Sequence, residues 1–200
     1  MTNYQLAFTK MTLINDYLNE LEAVIHNLSR DDIERVAQAL LSAWRERRQV
    51  FIIGNGGSAA TASHMMNDLN KFTLVPGRPR FRAIALTDNV PLLTAVGNDQ
   101  SYAEVFVEPL QNLLQSGDVL IAISASGNSK NVVRAVEYAR EQGALVIGFC
   151  GRPGGRLAEL AHLMVIVPSD RIGQQEDCHK VLDHVLVYAL RACIEQEPPA

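Results

Sequence analysis

From Gln49 onward the sequence alternates short apolar runs with longer segments of helical periodicity, and this alternation constrains the fold more than any other feature. Strands that alternate with helices predict an α/β fold with a doubly wound, mostly parallel five-stranded sheet, covered by helices on both faces. The predicted strands are Val50–Ile53, Phe81–Leu86, Val119–Ile123, Leu145–Phe149 and Leu163–Val167. The predicted helices lie near Ala59–Lys71, Pro91–Val96, Tyr102–Gln115, Lys130–Gln142, Leu157–Ala161 and Gln174–Glu195.

The segment before the first strand, from about Tyr4 to Arg48, predicts two helices. Leu18, Leu21 and Ile25 recur at three- and four-residue steps, which is the spacing of one helical face. The pattern breaks at residues 29–32, where either Ser29 or Asp31 could cap the second helix. We expect one domain over residues 1–200, with a helical arm over 1–48 and an α/β core over 49–196. The arm could pack against a partner subunit or belong to the core of the monomer.

Composition and charge exclude several classes of function. The 200 residues carry a formal net charge of -4, so there is no excess of basic residues to bind nucleic acid or an anionic membrane. The chain has no long apolar span and no signal-peptide pattern. Its three cysteines are an odd number without C-x-x-C spacing, which is typical of reduced thiols. We therefore expect a cytoplasmic protein without nucleic-acid or membrane partners.

A glycine-rich loop follows the first predicted strand. In parallel α/β sheets, ligands bind beyond the carboxyl ends of the strands, so this loop is a candidate site. Gly54 to Ala59 satisfies the G-x-G-x-x-A pattern of dinucleotide-binding loops. A dinucleotide site also needs an acidic residue about 20 positions further on, and Asp88 stands well beyond that distance. Ser58 adds a hydroxyl where the helix begins, which suits a phosphate better than a dinucleotide.

A second loop, rich in serine, follows the strand Val119–Ile123. Ser124, Ser126 and Ser129 surround the start of the next helix, where free amides and the helix dipole favour an anion. A serine hydroxyl can also donate to a phosphate oxygen without adding charge. The alternative is a capped turn with no ligand. Two such turns together predict a site for the terminal phosphate of a small molecule.

Three stretches of the chain, "GNGGSAATASH", "VGNDQSYAEVF" and "ISASGNSKNVV", resemble the sugar isomerase (SIS) domain family, and within it the phosphoheptose isomerases. The resemblance extends over nearly the whole chain. It implies a flavodoxin-like core, a homotetramer and zinc in the active site. It also implies conversion of sedoheptulose 7-phosphate to D-glycero-D-manno-heptose 7-phosphate, an early step toward the heptose of bacterial surface glycans.

The same resemblance assigns substrate contacts to both loops. Ser58, Ser124, Ser126 and Ser129 match the phosphate-binding serines of the family. The first loop and the segment after the second strand also supply predicted contacts with the sugar. Together the predicted substrate-binding residues are Asn55, Gly56, Gly57, Ser58, Asp88, Asn98, Asp99, Ser124, Ala125, Ser126, Asn128 and Ser129.

Two helices carry the candidate acid, base and metal-binding residues. An aldose–ketose exchange needs a base beside the carbon that loses its proton. It also needs a group that stabilises the charge developing on the two neighbouring oxygens. His64 and Asp68 are four residues apart and share one helical face. Glu176 and His184 lie on the last helix, about 80° apart in projection. These four form the predicted metal site, suited to zinc, and Asp68, Glu176 and His184 are also the predicted catalytic residues.

The chain departs from the family at both carboxylates, since Asp68 stands where glutamate is usual and Glu176 where glutamine is frequent. Which of the two is the base stays open. We expect His179 to lie behind the site or at the surface, and Asp177 and Asp183 on the solvated face of the helix. A non-catalytic sugar-phosphate sensor or a partner-binding tetramer is the alternative function, and a nucleotide-dependent oxidoreductase is a weaker one.

Overall fold

The computed structural model describes the backbone of residues 3–198 and the side chains of residues 12–198. The helices are α1 (Asn3–His26), α2 (Arg30–Arg45), α3 (Gly57–Asn67), α4 (Val90–Asp99), α5 (Val107–Leu113), α6 (Lys130–Glu141), α7 (Gly155–Leu160) and α8 (Ile172–Gln196). The strands are β1 (Gln49–Gly54), β2 (Arg82–Ala85), β3 (Val119–Ile123), β4 (Leu145–Gly151) and β5 (Leu163–Val167).

The strands form one parallel five-stranded sheet in the order β2-β1-β3-β4-β5. This confirms the predicted α/β class, and β3 and β5 have the predicted bounds. The helix predicted near Tyr102–Gln115 is shorter, because residues 102–106 form turns and α5 begins only at Val107. β4 continues past Phe149 to Gly151, whose amide donates to the carbonyl of Ala125 in the loop after β3.

The two N-terminal helices differ in how they meet the rest of the molecule. Ser29 caps α2, and its hydroxyl accepts from the amide of Asp32 at 3.3 Å. α2 buries Val36, Leu40 and Trp44 in the hydrophobic core. α1 instead leaves an apolar stripe exposed at Leu13, Ile14 and Leu18. The second helix is therefore part of the monomer core, and the first presents an uncovered face.

Two hydrophobic clusters cover the two faces of the sheet. One packs α2, α3 and α8 against residues such as Ile52 and Ile121, and the other packs α5 and α6 against residues such as Phe51 and Leu120. Neighbouring residues of one strand thus face opposite clusters, as the alternation of side chains along a strand requires. In residues 3–198, no helix combines the length and apolar character that a membrane span needs.

The order of the strands fixes where a ligand site is expected. β2 lies on one side of β1 and β3 on the other, so the chain reverses its direction of winding between β1 and β3. In open parallel sheets a crevice forms outside the carboxyl ends of the strands at that point. Because Gly54 pairs with Ile123, the loops that follow β1 and β3 leave the sheet side by side.

Candidate active site

The first loop, residues 55–58, connects β1 directly to α3. Gly56 precedes the helix with φ of 54°, a left-handed conformation that glycine adopts without strain. No side chain caps the start of α3, so the helix begins with free backbone amides. Ser58 lies in the first turn and is 5% exposed. The loop therefore offers amides and one hydroxyl at the positive end of a helix.

The serine loop, residues 124–129, connects β3 to α6 in a similar way. Ser124 is buried, and its hydroxyl lies 3.3 Å from that of Ser129. Ser129 precedes α6 without a side-chain hydrogen bond to the helix, which leaves the amides of Lys130 and Asn131 uncapped, while the amide of Val132 donates to the side chain of Asn131 at 3.0 Å. The hydroxyl of Ser126, which is exposed, accepts from the amide of Asn128 at 3.2 Å. This loop presents three hydroxyls around a helix start, which is the chemistry of an anion site.

An amide pair joins the first loop to the first turn of α6. The side chain of Asn55 donates to Asn131 at 2.9 Å, and that of Asn131 donates back to Asn55 at 2.8 Å. Asn131 is 2% exposed, and the hydroxyl of Tyr102 donates to the same oxygen of Asn55 at 3.0 Å. No sequence pattern pointed to Asn131 or Tyr102. Their contacts fix Asn55 between the loops, so the two helix starts converge on one space.

Glycines allow the serine loop to pack closely on the loop before α7. Gly127 has φ of 65°, and a β-carbon placed on it would lie 1.9 Å from the carbonyl oxygen of Gly154. The side chain of Asn128 accepts from the amide of Arg156 at 2.9 Å and donates to the carbonyl of Ser126 at 3.0 Å. Asn128, a predicted substrate contact, therefore uses its amide group to hold the serine loop to α7. Ala125, between the serines, accepts from the amide of Gly151.

The remaining predicted substrate residues follow β2 or end α4. Asp88 follows β2, is exposed, and accepts a hydrogen bond from the hydroxyl of Ser63 on α3. Asn98 and Asp99 lie exposed at the end of α4, where the amide of Asn98 donates to Asp99 at 2.8 Å. Asp88 and Asp99 thus each accept a hydrogen bond from a neighbouring side chain and stay exposed to solvent.

Side chains of α3 and α8 form a compact group that we call the His/Asp cluster: His64, Asp68, Asp183 and His184. One ligand atom from each lies within 4.8 Å of the others. Nε2 of His64 is 3.2 Å from Asp68 and 3.4 Å from Nε2 of His184, which is 3.9 Å from the same Asp68 oxygen. Asp68 begins a π-helical turn, Asp68–Phe72, that follows α3. Such turns are frequent at functional sites.

Asp183 is the member of the cluster that sequence reasoning missed. Its predicted place on the solvated face of α8 is wrong, because the side chain is fully buried. Burial raises the pKa of this carboxyl, and the ammonium group of Lys180, 2.9 Å from Oδ2, opposes that rise. The other oxygen, Oδ1, is buried without a hydrogen-bond partner.

Glu176 lies outside the His/Asp cluster. A β-carbon placed on Gly57 would lie 2.5 Å from a carboxylate oxygen of Glu176, so this half-buried side chain sits against the first loop. A side chain at position 57 would therefore displace the carboxylate of Glu176. The two predicted carboxylates occupy different places: Asp68 is with the histidines, and Glu176 is beside the first turn of α3.

Two neighbours of Glu176 on α8 are inert. His179 is 1% exposed and stacks on Phe149, with ring centroids 6.4 Å apart. Of its two predicted positions, behind the site or at the surface, burial excludes the surface. Burial lowers the pKa of its imidazole to about 4. Burial also raises the pKa of the Cys178 thiol to about 11, which keeps it protonated at neutral pH. Cys150, Cys178 and Cys193 are free thiols, as predicted, while Asp177 is exposed and accepts from Tyr17 at 2.6 Å.

The geometry supports one kind of chemistry. The His/Asp cluster offers two imidazoles and two carboxylates, and one ligand atom of each lies close enough to the others for a single divalent cation to be held. The two loops offer amides and hydroxyls to an anion. The fold and the site thus define an α/β protein in which two uncapped helix starts lie side by side and a histidine–carboxylate cluster joins α3 to α8.

Comparison with known proteins identifies the family. The model of the SIS domain matches residues 15–151. A phosphoheptose isomerase from Aquifex aeolicus is 40% identical over 167 residues, covering 84% of this chain and 87% of the relative. Another, from Bradyrhizobium sp. (strain ORS 278), is 35% identical over 192 residues, or 93% of this chain and 96% of the relative.

Solved structures agree with the sequence comparison. The structure of a phosphoheptose isomerase from Francisella tularensis superposes with a TM-score of 0.85 at 30% identity, covering 96% of this chain and 100% of the other. The chain belongs to the SIS domain family.

Proposed function

We propose that the chain is an aldose–ketose isomerase that converts sedoheptulose 7-phosphate to D-glycero-D-manno-heptose 7-phosphate. The observation that carries this proposal is the convergence of the two loops at the switch point, with a histidine–carboxylate centre on the adjoining helices. The relatives named phosphoheptose isomerase, which match more than four fifths of the chain, support the choice of substrate.

Phosphate binding positions the sugar. In this proposal, Ser58, Ser124, Ser126 and Ser129 donate hydroxyl hydrogen bonds to the phosphate, with the free amides of α3 and α6. No lysine or arginine lies within either loop, so binding depends on neutral donors and on the two helix dipoles. Asp88, Asn98 and Asp99 then accept or donate hydrogen bonds along the sugar chain.

The chemical step moves one proton between neighbouring carbons. A base removes a proton from C1 of the ketose, and the electron pair of the C–H bond forms a C1–C2 double bond. The C2 carbonyl oxygen takes up a proton, which gives the enediol. Return of a proton to C2 and loss of the proton from the C1 hydroxyl leaves the aldehyde at C1. Substrate and product are isomers, so no external oxidant or reductant is needed.

We assign removal of the proton from C1 to Glu176. We assign stabilisation of the charge that develops on the sugar oxygens to the His/Asp cluster. Glu176 lies against the first loop and is not engaged with a histidine, so it is available as the base. Asp68 is occupied by His64. We propose zinc as the ion that His64, Asp68 and His184 would hold, and when bound it supplies a Lewis acid for the two sugar oxygens. His184, exposed at 58% of its side chain, is accessible to a substrate.

We also propose that the chain assembles as a homotetramer. The exposed stripe of Leu13, Ile14 and Leu18 on α1 supports this, because monomers rarely expose such a continuous apolar face. Light scattering during size-exclusion chromatography measures the mass directly, and a 22.0 kDa particle would contradict the proposal.

The test of the activity is direct. The purified chain is incubated with sedoheptulose 7-phosphate, and formation of the aldose is followed by proton NMR, with Glu176→Gln and His184→Ala as variants. We expect turnover by the native chain and loss of turnover in both variants. Tight binding of the sugar phosphate without conversion by the native chain would favour the alternative of a sugar-phosphate sensor.

A further inference from the structure

Arginines gather at the end of the sheet opposite the candidate active site. The end of α2 with the turn after it, and the segment that leads into β2, together carry six of the 18 basic residues of the chain. They are Arg45, Arg47, Arg48, Arg78, Arg80 and Arg82. Because Gln49 pairs with Arg82 at the start of β1 and β2, the two segments lie side by side. The candidate site lies beyond the other end of β1, about 16 Å away along the strand.

Direct hydrogen bonds join the two segments. Nη1 of Arg47 donates to the carbonyl of Arg80 at 2.8 Å, and Nη1 of Arg82 donates to the carbonyl of Arg47 at 2.9 Å. The indole of Trp44, at the buried end of α2, donates to the carbonyl of Pro79 at 2.9 Å. The backbone of each segment therefore holds a guanidinium group of the other, which orders these side chains before any ligand binds.

Carboxylates neutralise only part of this charge. Glu197 pairs with Arg45. Glu46 pairs with Arg48. Within residues 12–198, no carboxylate pairs with the other four, which we call the arginine patch: Arg47, Arg78, Arg80 and Arg82. Since the whole chain has a net charge of -4, the patch is a positive region on an otherwise acidic protein. Like charges this close together repel, so an anion that binds among them is stabilised.

Arg47 occupies its position at a cost in stability. It follows the C-cap of α2 with φ of 61°, and its amide donates to the carbonyl of Trp44 at 3.1 Å. Glycine is the usual residue at such a position, because an L side chain is strained in the left-handed region. Within residues 3–198, Arg47 is the one residue other than glycine with positive φ. A strained residue that keeps a charge on this surface indicates a role for the charge.

The spacing of the arginines indicates an extended ligand. Arg80 and Arg82 are exposed and alternate with the buried Phe81 and Ala83. Their side chains therefore leave the same side of the backbone, about 7 Å apart. An extended polypeptide with an acidic residue at every second position has the same period. Guanidinium groups also suit carboxylates in particular, because they can donate two parallel hydrogen bonds to one carboxylate.

The charge of the molecule disfavours other partners. A nucleic-acid duplex or a membrane would extend past the patch onto the acidic remainder of the surface, which would repel it. A symmetric contact with a second copy of the chain, centred on the patch, would bring arginine against arginine. A short acidic segment avoids both kinds of repulsion.

We propose that the arginine patch binds an extended acidic segment of a partner protein, with carboxylates at alternate positions. The surface is separate from the candidate active site, so the inference does not rest on the proposed function. It assigns to this end of the sheet an interaction that the isomerase reaction does not require.

Fluorescence anisotropy of a labelled synthetic peptide tests the proposal. The probe is a peptide of about ten residues in which glutamate alternates with serine, titrated with the full chain. We expect saturable binding at about 0.05 M salt that is lost at about 1 M salt, where exposed charges are screened. Arg80→Ala/Arg82→Ala should weaken binding at least about fivefold, because one exposed ion pair alone contributes up to about fivefold.

Arg35→Ala/Arg134→Ala is the matched control. It removes the same charge from two exposed arginines that pair with Asp32 and Glu104, so binding should stay within about twofold of the native chain. Equal losses in the two double variants would overturn the proposal, as would absence of peptide binding by the native chain. Tighter binding of a DNA duplex, or of vesicles containing phosphatidylserine, than of the peptide would also overturn it.

Arg47→Gly separates binding from stability. Glycine adopts φ of 61° without strain, so the free energy of unfolding in urea should not fall, while peptide binding should weaken. The opposite result, a less stable chain with unchanged peptide binding, would show that Arg47 is structural and would contradict its place in the binding surface. Circular dichroism confirms that each variant is folded.

Discussion

The serine loop and the His/Asp cluster lie near the same end of the sheet, but they are held in different ways. The serine loop follows directly from β3, and its backbone is fixed by hydrogen bonds to β4 and α7. The His/Asp cluster depends on side chains of two helices that are far apart in sequence, and it leaves Oδ1 of Asp183 unpartnered. The serine loop satisfies its own backbone hydrogen bonds, whereas the His/Asp cluster keeps one buried carboxylate oxygen without a partner among the described residues.

The difference suggests a division of roles. A rigid loop of neutral donors suits the phosphate, which does not change during the reaction. A group of titratable side chains with unused bonding capacity suits the end of the sugar where charge develops. Substitutions in the loop should therefore raise KM, and substitutions in the cluster should lower kcat.

The largest expected effect concerns the cluster. His184→Ala removes an exposed imidazole without disturbing the core, so we expect kcat to fall at least about 100-fold, as for loss of a general acid–base group. The NMR assay measures this, and His26→Ala, at another exposed histidine, should stay within about threefold. If His184→Ala changed KM alone, the proposed division of roles between the serine loop and the His/Asp cluster would be contradicted.

The close packing of the serine loop gives the next prediction. In Gly127→Ala the new methyl group would collide with the carbonyl of Gly154, and the residue would also be strained at positive φ. We expect the free energy of unfolding to fall by about 3 kcal/mol in urea titrations. Gly77→Ala shares the positive φ but meets nothing within 4 Å, so it should lose only about 1 kcal/mol. Equal losses would mean that the loop is not tightly held.

The helix that supports the cluster should respond to pH through His179. Because burial lowers its pKa to about 4, the folded state binds this proton less readily than the unfolded state does. The stabilising contribution is complete above the ordinary pKa near 6.5 and is lost as the pH falls toward 4. Between pH 7.5 and 4.5 we expect the native chain to lose about 2–3 kcal/mol more than His179→Leu does. Parallel pH curves in urea titrations would contradict this.

Ser129→Ala tests a single hydroxyl of the serine loop. Ser129 is half-buried and lies next to Ser124, so its loss should leave the fold unchanged. We expect KM for the sugar phosphate to rise about tenfold with kcat nearly constant, since a hydrogen bond to a charged group contributes about 1.5–3 kcal/mol. Ser42→Ala, on the exposed side of α2, should have no effect on either constant.

The smallest expected effect is at the rim. Tyr102→Phe removes one hydrogen bond to Asn55, but the amide pair with Asn131 still holds that side chain. We expect KM to change by less than about threefold in steady-state kinetics. A larger change would show that Tyr102 itself contacts the substrate.

Local patterns made the sheet and the loops predictable. Every residue of the apolar run Val119–Ile123 is buried, so the run is recognisable as a central strand. The serines that follow it must therefore lie at the end of that strand. The bounds of α5 were less predictable, because the turns before Val107 have no distinct sequence pattern. The amide pair of Asn55 and Asn131 depends on two strands becoming neighbours, which spacing alone does not show.

The cluster was only partly predictable for the same reason. His64 and Asp68 share a helical face, so their proximity follows from the period of the helix. Asp183 was assigned to solvent from its charge, yet it stands four residues from both His179 and Val187 and shares their buried stripe. The helical period could therefore have predicted that the side chain of Asp183 is buried. The position of Glu176 against Gly57 depends on the packing of α8 on α3 and has no local signal.

The central claim is that both loops bind one phosphate while the sugar extends toward the His/Asp cluster. A crystal of the chain soaked with sedoheptulose 7-phosphate tests it most directly. The account predicts phosphate density between the first turns of α3 and α6, within hydrogen-bonding distance of Ser58 and Ser124, with C1 and C2 near Glu176 and His184. Phosphate density away from both helix starts would contradict it.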